Sequence, residues 1–518
     1  MYNAVGLFLL APLPFIVIPF YLKKLGAAGY GTWAVFLAVS GVTSLADLGL
    51  VTTLSKHVAE FSAIRDLRSL SRYINTGFIL YLGIATLLAM FLSICYPFFV
   101  SSLFHGSSST SKDLTVLWRC LILLIFANTM TLLFSSIVIG LQRMDLSTYI
   151  SSLNQLLSVG LSVLFLSNGW GLRGILYSYV VAAWLTTVVY VVFAHRLLPE
   201  ISLDLSSCRL AVAKEILGFS LKTYVTTVAV VIHNQIEKVY LARFVGVVPV
   251  GWYDISSGLA LKLRGIPTLV LTPVMPAASE LHALSDPSRL VRLYRRAHKY
   301  LAFTGIPIVV YVCLISKPFV RLWVGPELGI LALPLSVLLV ANFINLTTGP
   351  GFLILVGGGT LKPGMSSAIF GVVVNLTVSL FLIRAYGFRG AIIGTSFSLV
   401  TSTLFFFFLS RRAMGGQFRR VIRHAYVKPL ISSLVAASLV WASARSEQPT
   451  WIGLIFTGIC FSIVYLGSLL LLRFFDTFDL TILERFLPIP RVARRMIPDA
   501  ELGSSLLPDS ERTQTTAS

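Results

Sequence analysis

Several ionisable side chains stand in stretches otherwise apolar enough for lipid, and their types and spacing are the first sign of chemistry. Lys262 and Arg264 lie near the middle of one such stretch, 251–277. A charge at the centre of a bilayer costs about 2.5–3.5 kcal/mol on insertion scales, so such groups usually face a bundle interior or a water-filled cavity. Two cations there would bind an anion by charge-assisted hydrogen bonds; structural pairing is the other reading. A second group falls in "FSLKTYVTTVAVVIHNQIEKVYLARF" (219–244), where helical spacing puts Lys222, Thr226, His233 and Glu237 on one side and stacks Asn234 on Lys238. Such a stripe cannot comfortably face lipid. It either lines a cavity or pairs locally, with Glu237 and Lys238 reaching water at one end and Lys222 snorkelling at the other. His233 titrates near neutral pH and could carry protons. In "GVTSLADLGLVTTLSKHVAEF" (41–61) the aspartate Asp47 sits in what reads as a membrane helix, just before Lys56, His57 and Glu60. Arg119, close to the end of its stretch, reads as an interfacial anchor.

The elements that position these groups follow from composition. The chain is 56% hydrophobic and 12% charged, with a mean hydropathy of +0.85, whereas soluble domains are about 25% charged. A span needs about 20 mostly apolar residues, and about 14 such segments occur. They lie near 3–22, 31–53, 74–100, 115–140, 149–167, 174–194, 216–240, 251–277, 299–317, 328–350, 363–383, 390–410, 428–444 and 451–472. The fold class is therefore an all-α polytopic membrane protein. The net charge of +20 is a topology signal rather than a nucleic-acid footprint. With the N-terminus inside, the inner connections hold about 26 Lys and Arg and the outer ones about 10. Clear inner blocks are Arg289, Arg292, Arg295, Arg296 and Lys299, then Arg411, Arg412, Arg419, Arg420 and Arg423. Both termini are thus expected in the cytoplasm. The five cysteines show no metal or redox spacing. The first apolar stretch lacks a basic leader and reads as the first helix, with a short preceding segment expected to be missing.

The sequence also repeats. "LFLSNGWGLRG" (164–174) matches "LFLIRAYGFRG" (380–390). At nearly the same offset Gly26 meets Gly246, Gly31 meets Gly251 and Glu60 meets Glu280. Six spans separate the copies, and an even number makes the repeat parallel, about an axis along the membrane normal. The expected domains are two six-helix bundles, 1–200 and 213–412, around a central cavity, two extra spans at 428–472, and a partly disordered cytoplasmic tail at 473–518. Rocking such bundles exposes the cavity to either side in turn, so transport is the expected function.

Enzymatic motifs are lacking: there is no HExxH, GxSxG or Walker pattern, and "GGGTLKPG" (357–364) has the wrong spacing for one. The longest outer connection, 101–114, is too short for a domain. The sequence implies no enzyme, cofactor or metal, and energy would come from an ion gradient or the substrate's own gradient. With Lys222, Lys238, Lys262 and Arg264 set against Glu237, and Asp254 near the outer mouth, the cavity wall is expected to be cationic and to favour an anionic cargo.

"LGAAGYGTWAVFLAVSGVTSLADLGLVTTLSKHVAEF" (25–61), "NLTVSLFLI" (375–383) and "YGFRGAIIGTSFS" (386–398) resemble the signatures of polysaccharide flippases of the multidrug/oligosaccharidyl-lipid/polysaccharide exporter superfamily. The resemblance covers roughly residues 1–475. It implies two pseudo-symmetric six-helix bundles plus two helices in a bacterial inner membrane. It also implies a cargo of undecaprenyl-pyrophosphate-linked oligosaccharide for surface polysaccharides such as O-antigen or exopolysaccharide. Asp47 matches the family's aspartate. The seventh helix departs from it, reading Gln235-Ile236-Glu237-Lys238 where an aspartate is common. The expected roles are then pyrophosphate binding by Lys262 and Arg264, helped by Lys222 and Lys238, and gating or coupling by Asp47, His233 and Glu237. Asp47 is expected to be a buried hinge or gate contact, partnered by a cation such as Lys56 or Arg65. Membrane lipids and polysaccharide polymerase machinery are the expected partners, and nucleic acid is not. A multidrug exporter of the same superfamily, favouring an acidic cavity, and a membrane-embedded polymerase are the alternatives.

Overall fold

The computed structural model describes residues 13–41, 45, 47–103, 111–199, 208–411, 418–444, 450–476 and 479. The middle of the 101–114 connection, Arg412 and the tail beyond 479 lie outside them, as do the side chains of Lys222, Thr226, Arg419, Arg420 and Arg423. The described residues are helical throughout their long elements: α1 Leu13–Gly41, α2 Leu50–Ala63, α3 Leu67–Leu103, α4 Ser111–Gly140, α5 Met144–Ser167, α6 Gly171–Leu197, α7 Leu210–Phe244, α8 Val247–Thr268, α9 Val274–Ala283, α10 Pro287–Val324, α11 Ala332–Leu346, α12 Gly349–Gly357, α13 Lys362–Tyr386, α14 Phe388–Ser410, α15 Phe418–Ala444 and α16 Trp451–Leu471. Helices dominate because lipid offers no partner for a backbone N–H or C=O, and only a helix satisfies both within its own segment. Among the described residues ten segments are long and apolar enough to cross a membrane, and Ala425–Trp441 is a shorter apolar helix.

Two compact units share the chain. The first comprises Met1–Lys262, Trp323–Thr348 and Gly359–Ser410. Its helices α2 to α6 close on a core of Leu50, Leu54, Leu70, Tyr81, Leu133 and Ile150, among others. The second comprises Leu263–Leu322, Gly349–Gly358 and Arg411–Ser518. In it Phe461, Tyr465 and Leu469 of α16 pack with Val440 of α15 and with Phe303 and Tyr311 of α10. Large apolar side chains such as Phe381, Phe408 and Ile452 remain exposed on the helix surfaces, as expected where the solvent is hydrocarbon.

Backbone geometry recurs at the offsets read from the sequence. Gly171 and Gly387, equivalent in the first matched pair, take φ of 53° and 57°. Arg65 and Ser285, equivalent at the offset that sets Gly26 on Gly246, take φ of 57° and 53°, and each precedes an aspartate that caps a helix. The Ser69 N–H donates to Asp66 Oδ1 at 3.0 Å, and the Arg289 N–H to Asp286 Oδ1 at 2.9 Å. The Asp66 N–H reaches back to the Phe61 carbonyl at 3.0 Å, as the Asp286 N–H does to that of Leu281 at 3.2 Å. Gly26 (φ 70°) kinks α1 into two arms, and Gly246 (φ 121°) turns α7 into α8. Only glycine takes such angles without strain.

Asp47 departs from the sequence reading. It lies outside the α-helices, in 3₁₀ geometry just ahead of α2, which begins at Leu50, with Leu48 (φ 46°) and Gly49 (φ 75°) left-handed before that helix. The Val51 N–H donates to Asp47 Oδ1 at 3.0 Å, and the Tyr81 hydroxyl donates to the same oxygen at 3.2 Å. The carboxylate satisfies one of the N–H groups that a helix start leaves without intrahelical partners. Tyr224 of α7 donates to the Leu45 carbonyl at 2.7 Å, so this break also meets α7.

Candidate functional site

The polar groups of α7 separate into two clusters within the first unit, because adjacent residues on a helix point about 100° apart. Glu237 turns toward α13 and α14 and is fully buried. Its Oε1 accepts from Asn375 Nδ2 at 2.5 Å and from Thr395 Oγ1 at 2.8 Å. Asn375 also donates to Ser398 Oγ at 3.2 Å, and Tyr253 of α8 shares a hydrogen bond with Thr395 at 2.8 Å. Asn375, Ser379 and Ser398 are wholly buried, and Thr395 and Tyr253 nearly so. Ser379 follows Asn375 by one turn and packs against Gly394, where an added Cβ would lie 2.4 Å from the serine oxygen.

Three oxygens in this region, Glu237 Oε2, Asn375 Oδ1 and Ser379 Oγ, are buried with no hydrogen-bond partner among the described residues. An isolated carboxylate out of water is costly unless its charge is offset. The unpaired atoms here are all oxygens, a donor set suited to a proton or a hard cation. Among the described residues no cluster of three His, Cys, Asp or Glu could hold a metal ion, so any cation here would rest on a single carboxylate and neutral oxygens.

Lys238 turns toward α8 instead. Its ammonium donates to Asp254 Oδ1 at 2.6 Å, and Tyr30 of α1 donates to Asp254 Oδ2 at 2.9 Å. Lys238 and Tyr30 are buried. The sequence reading lets Glu237 and Lys238 reach water together; the structure buries both and gives them separate partners. Lys238 is therefore an engaged charge rather than a free cation of a cavity wall.

Lys262, an exposed residue near the end of α8, lines a small pocket with Pro14, Phe15, Ile18, Leu259 and Trp323. The Trp323 indole N–H donates to the Phe15 carbonyl at 2.6 Å and closes one side. Lys262 belongs to the first unit, whereas Arg264 belongs to the second unit's share of the helix. Residues two apart on one helix do not face each other, so α8 does not present the two cations as a pair. His233 is half-buried on α7, and the side chain of Lys222 lies outside the described residues.

Sequence reasoning named Glu237, Lys238 and Asp254 without their partners. For one contact the signal was available. Lys238 and Asp254 stand eight residues before and eight after Gly246, the register at which a helical hairpin brings its arms together. Nothing comparable marks Tyr30, Asn375 or Thr395 as neighbours of these charges.

Comparison with known proteins bears on the fold and the family. Solved structures with this fold include a lipid II flippase, MurJ, in an inward closed conformation. It superposes with a TM-score of 0.67 at 14% identity over 90% of this chain and 97% of that one. A multidrug resistance MATE family transporter of the MOP superfamily, inward-facing, has a TM-score of 0.61 at 16% identity over 79% of this chain and 96% of that one. An uncharacterized membrane protein in a cps region of Klebsiella pneumoniae is 23% identical over 205 residues, 39% of this chain. The chain covers 42% of that relative's length. The sequence pattern of a family described as polysaccharide biosynthesis protein matches residues 1–282. That match runs through α1 to α8, takes in Tyr30, Asp47, Glu237 and Asp254, and covers over half of the 518 residues. The chain belongs to the polysaccharide biosynthesis protein family.

Proposed function

We propose that this protein carries an oligosaccharide linked to undecaprenyl pyrophosphate from the inner to the outer leaflet of the bacterial plasma membrane by alternating access. The observation that carries the reading is a fold shared with a lipid II flippase over 90% of the chain, in a member of a polysaccharide biosynthesis family. The moving parts are the bundles 1–200 and 213–412, with 428–472 as two added spans, 473–518 as a cytoplasmic tail, and both termini inside. Lys262 is the cation offered to the pyrophosphate, with Lys222 as a further contact and Arg264, on another face of α8, as a separate candidate. Its apolar surround of Phe15, Ile18 and Trp323 lets a lipid-borne headgroup shed water and strengthens each charge-assisted hydrogen bond.

Glu237 is the coupling group in this reading. Because Oε2 has no donor, its charge is offset by whatever enters, a proton or an alkali cation held with Asn375, Ser379 and Thr395. Lys238 cannot serve, since Asp254 already holds it. His233 is a second proton-carrying candidate on the same helix, and Asp47 holds the break between α1 and α2 against α3. Polymerase machinery would take the flipped unit.

The test is deletion of the gene, followed by extraction of lipid-linked sugars and exposure of intact cells to external glycosidases. Undecaprenyl-linked repeat units accumulating out of enzyme reach, with surface polysaccharide lost, are expected. Unchanged lipid-linked pools would refute the reading and favour export of another cargo, and units trapped in the outer leaflet would point to a polymerase.

A further inference from the structure

The contact between α1 and α8 is tighter than helix packing normally allows. A Cβ added at Gly31 would lie 1.9 Å from the Val247 carbonyl oxygen, and one at Gly251 would lie 3.2 Å from the Gly31 Cα and 3.0 Å from Tyr30 Cδ1. Backbone therefore meets backbone there. Gly31 and Gly251 are equivalent positions of the repeat, each five residues beyond a turn glycine, Gly26 or Gly246. Two equivalent positions of a repeat can touch each other only where the symmetry axis passes. The charge pattern assigns both turns to the outer side of the membrane, so this crossing joins the outer ends of the two halves.

The clasp of Tyr30 on Asp254 lies beside the crossing. At the same offset Asp254 corresponds to Ala34, Lys238 to Ile18 and Tyr30 to Val250, so the polar clasp has no twin. Its division of charge is informative. Lys238 and Asp254 both belong to the α7–α8 hairpin, and only a neutral hydroxyl reaches them from α1. Parting an ion pair across a seam would leave a buried charge alone, at high cost. Parting this one leaves the carboxylate still held by its lysine. The seam is strong when closed, since a hydrogen bond to an ionised acceptor is among the stronger kinds, yet it can open without orphaning a charge.

We propose that Tyr30 and Asp254, with the Gly31 and Gly251 crossing, form a latch that closes the outer ends of the two halves and releases during each transport cycle. The latch rests on the transport reading above, and its test separates the two. In full-length protein in native membranes, with the five native cysteines replaced, Tyr30→Cys and Gly251→Cys are introduced together. Oxidation is expected to cross-link them and to lower surface polysaccharide well below that of the same double variant kept reduced, which lacks the Tyr30 hydroxyl and sets its own baseline. A cross-linked protein that stays active would make the seam a permanent hinge and overturn the latch, as would failure of the pair to cross-link.

A gentler variant keeps the idea exposed should the double substitution fail to fold. Ala34, one turn beyond Tyr30 and fully buried, is replaced by Cys as a reporter, with Tyr30 intact or changed to Phe. Tyr30→Phe is expected to raise labelling by an external, membrane-impermeant maleimide several-fold, and unchanged labelling would overturn the latch. Labelling does not depend on the cargo, so a latch that opens in a strain with intact lipid-linked pools would refute the flippase reading while leaving the latch in place.

Discussion

Replacing Glu237 by Gln, Ala and Asp separates a coupling role from a structural one, because the cage treats the three differently. Gln keeps the volume and keeps Oε1 as acceptor for Asn375 and Thr395, at 2.5 and 2.8 Å in the native cage. Its new amide can donate to an otherwise unpaired oxygen such as Asn375 Oδ1. The expected loss of stability is below about 1 kcal/mol, since each hydrogen bond lost or gained is worth about 0.5–1.5 kcal/mol net. Ala removes the side chain from a site with no exposure. Its two former donors retain partners, Ser398 for Asn375 and the Ala391 carbonyl for Thr395. The penalty is therefore chiefly a cavity of the Met→Ala kind, about 2–5 kcal/mol. Thermal unfolding of purified protein measures the ranking, and restoration of surface polysaccharide in a deletion strain measures function. Glu237→Gln is expected to fold like the native chain and fail to restore polysaccharide, while Glu237→Asp restores part of it. Full activity of Glu237→Gln would refute the coupling role. If Gln destabilises as much as Ala does, the carboxylate is a charged structural post.

Three further outcomes follow from the same geometry. Lys262→Gln should abolish surface polysaccharide while the protein stays in the membrane at native levels, whereas Arg264→Gln, on another face of α8, should give a separable effect; normal polysaccharide in Lys262→Gln would remove that residue from the site. Ser69, through its hydroxyl and backbone N–H, holds the Asp66 carboxyl below the usual carboxylate range, and the Arg289 N–H with the Ser288 hydroxyl does so for Asp286. Because both values are depressed on folding, the stabilisation is present above the unfolded value of about 3.9 and is lost as pH falls through the folded one. Asp66→Asn and Asp286→Asn, which still cap, should flatten that acid sensitivity in unfolding scans carried below about pH 4, where the unfolded carboxyl begins to bind protons that the folded one does not. In the second unit Lys299 is held between Asp476, at 3.1 Å, and Asp479. Lys299→Met leaves those carboxylates facing each other, and limited proteolysis should then cut sooner just after α16.

How much of this was legible in the sequence depends on how far each contact reaches along the chain. The all-helical membrane character was legible because hydropathy is a local sum, and the sequence matches drew attention to Gly26, Gly246, Gly171 and Gly387, each of which takes a positive φ. The Lys238 and Asp254 pair was legible in principle, as a hairpin fixes its own register around Gly246. Asn375 with Ser398, and Ser379 with Gly394, obey the same logic around the turn at Gly387. What the sequence could not supply was the third helix that each hairpin meets. Glu237 enters the α13–α14 hairpin, and Tyr30 enters the α7–α8 hairpin, across 138 and 224 residues respectively; no local rule brings them there. Asp47 misled for the opposite reason. Its apolar flanks carry the hydropathy of a span through a break that only Leu48 and Gly49, in left-handed backbone, reveal. A carboxylate in such a place need not face lipid or cargo, because an N–H at the start of the next helix and the Tyr81 hydroxyl are its partners. The same test sorts the remaining charges: where the fold supplies a partner, as for Asp47 and Lys238, the charge builds the machine. Where part of the group is left buried with no partner among the described residues, as at Glu237 Oε2, the fold leaves room for one, and the coupling role proposed for Glu237 rests on that.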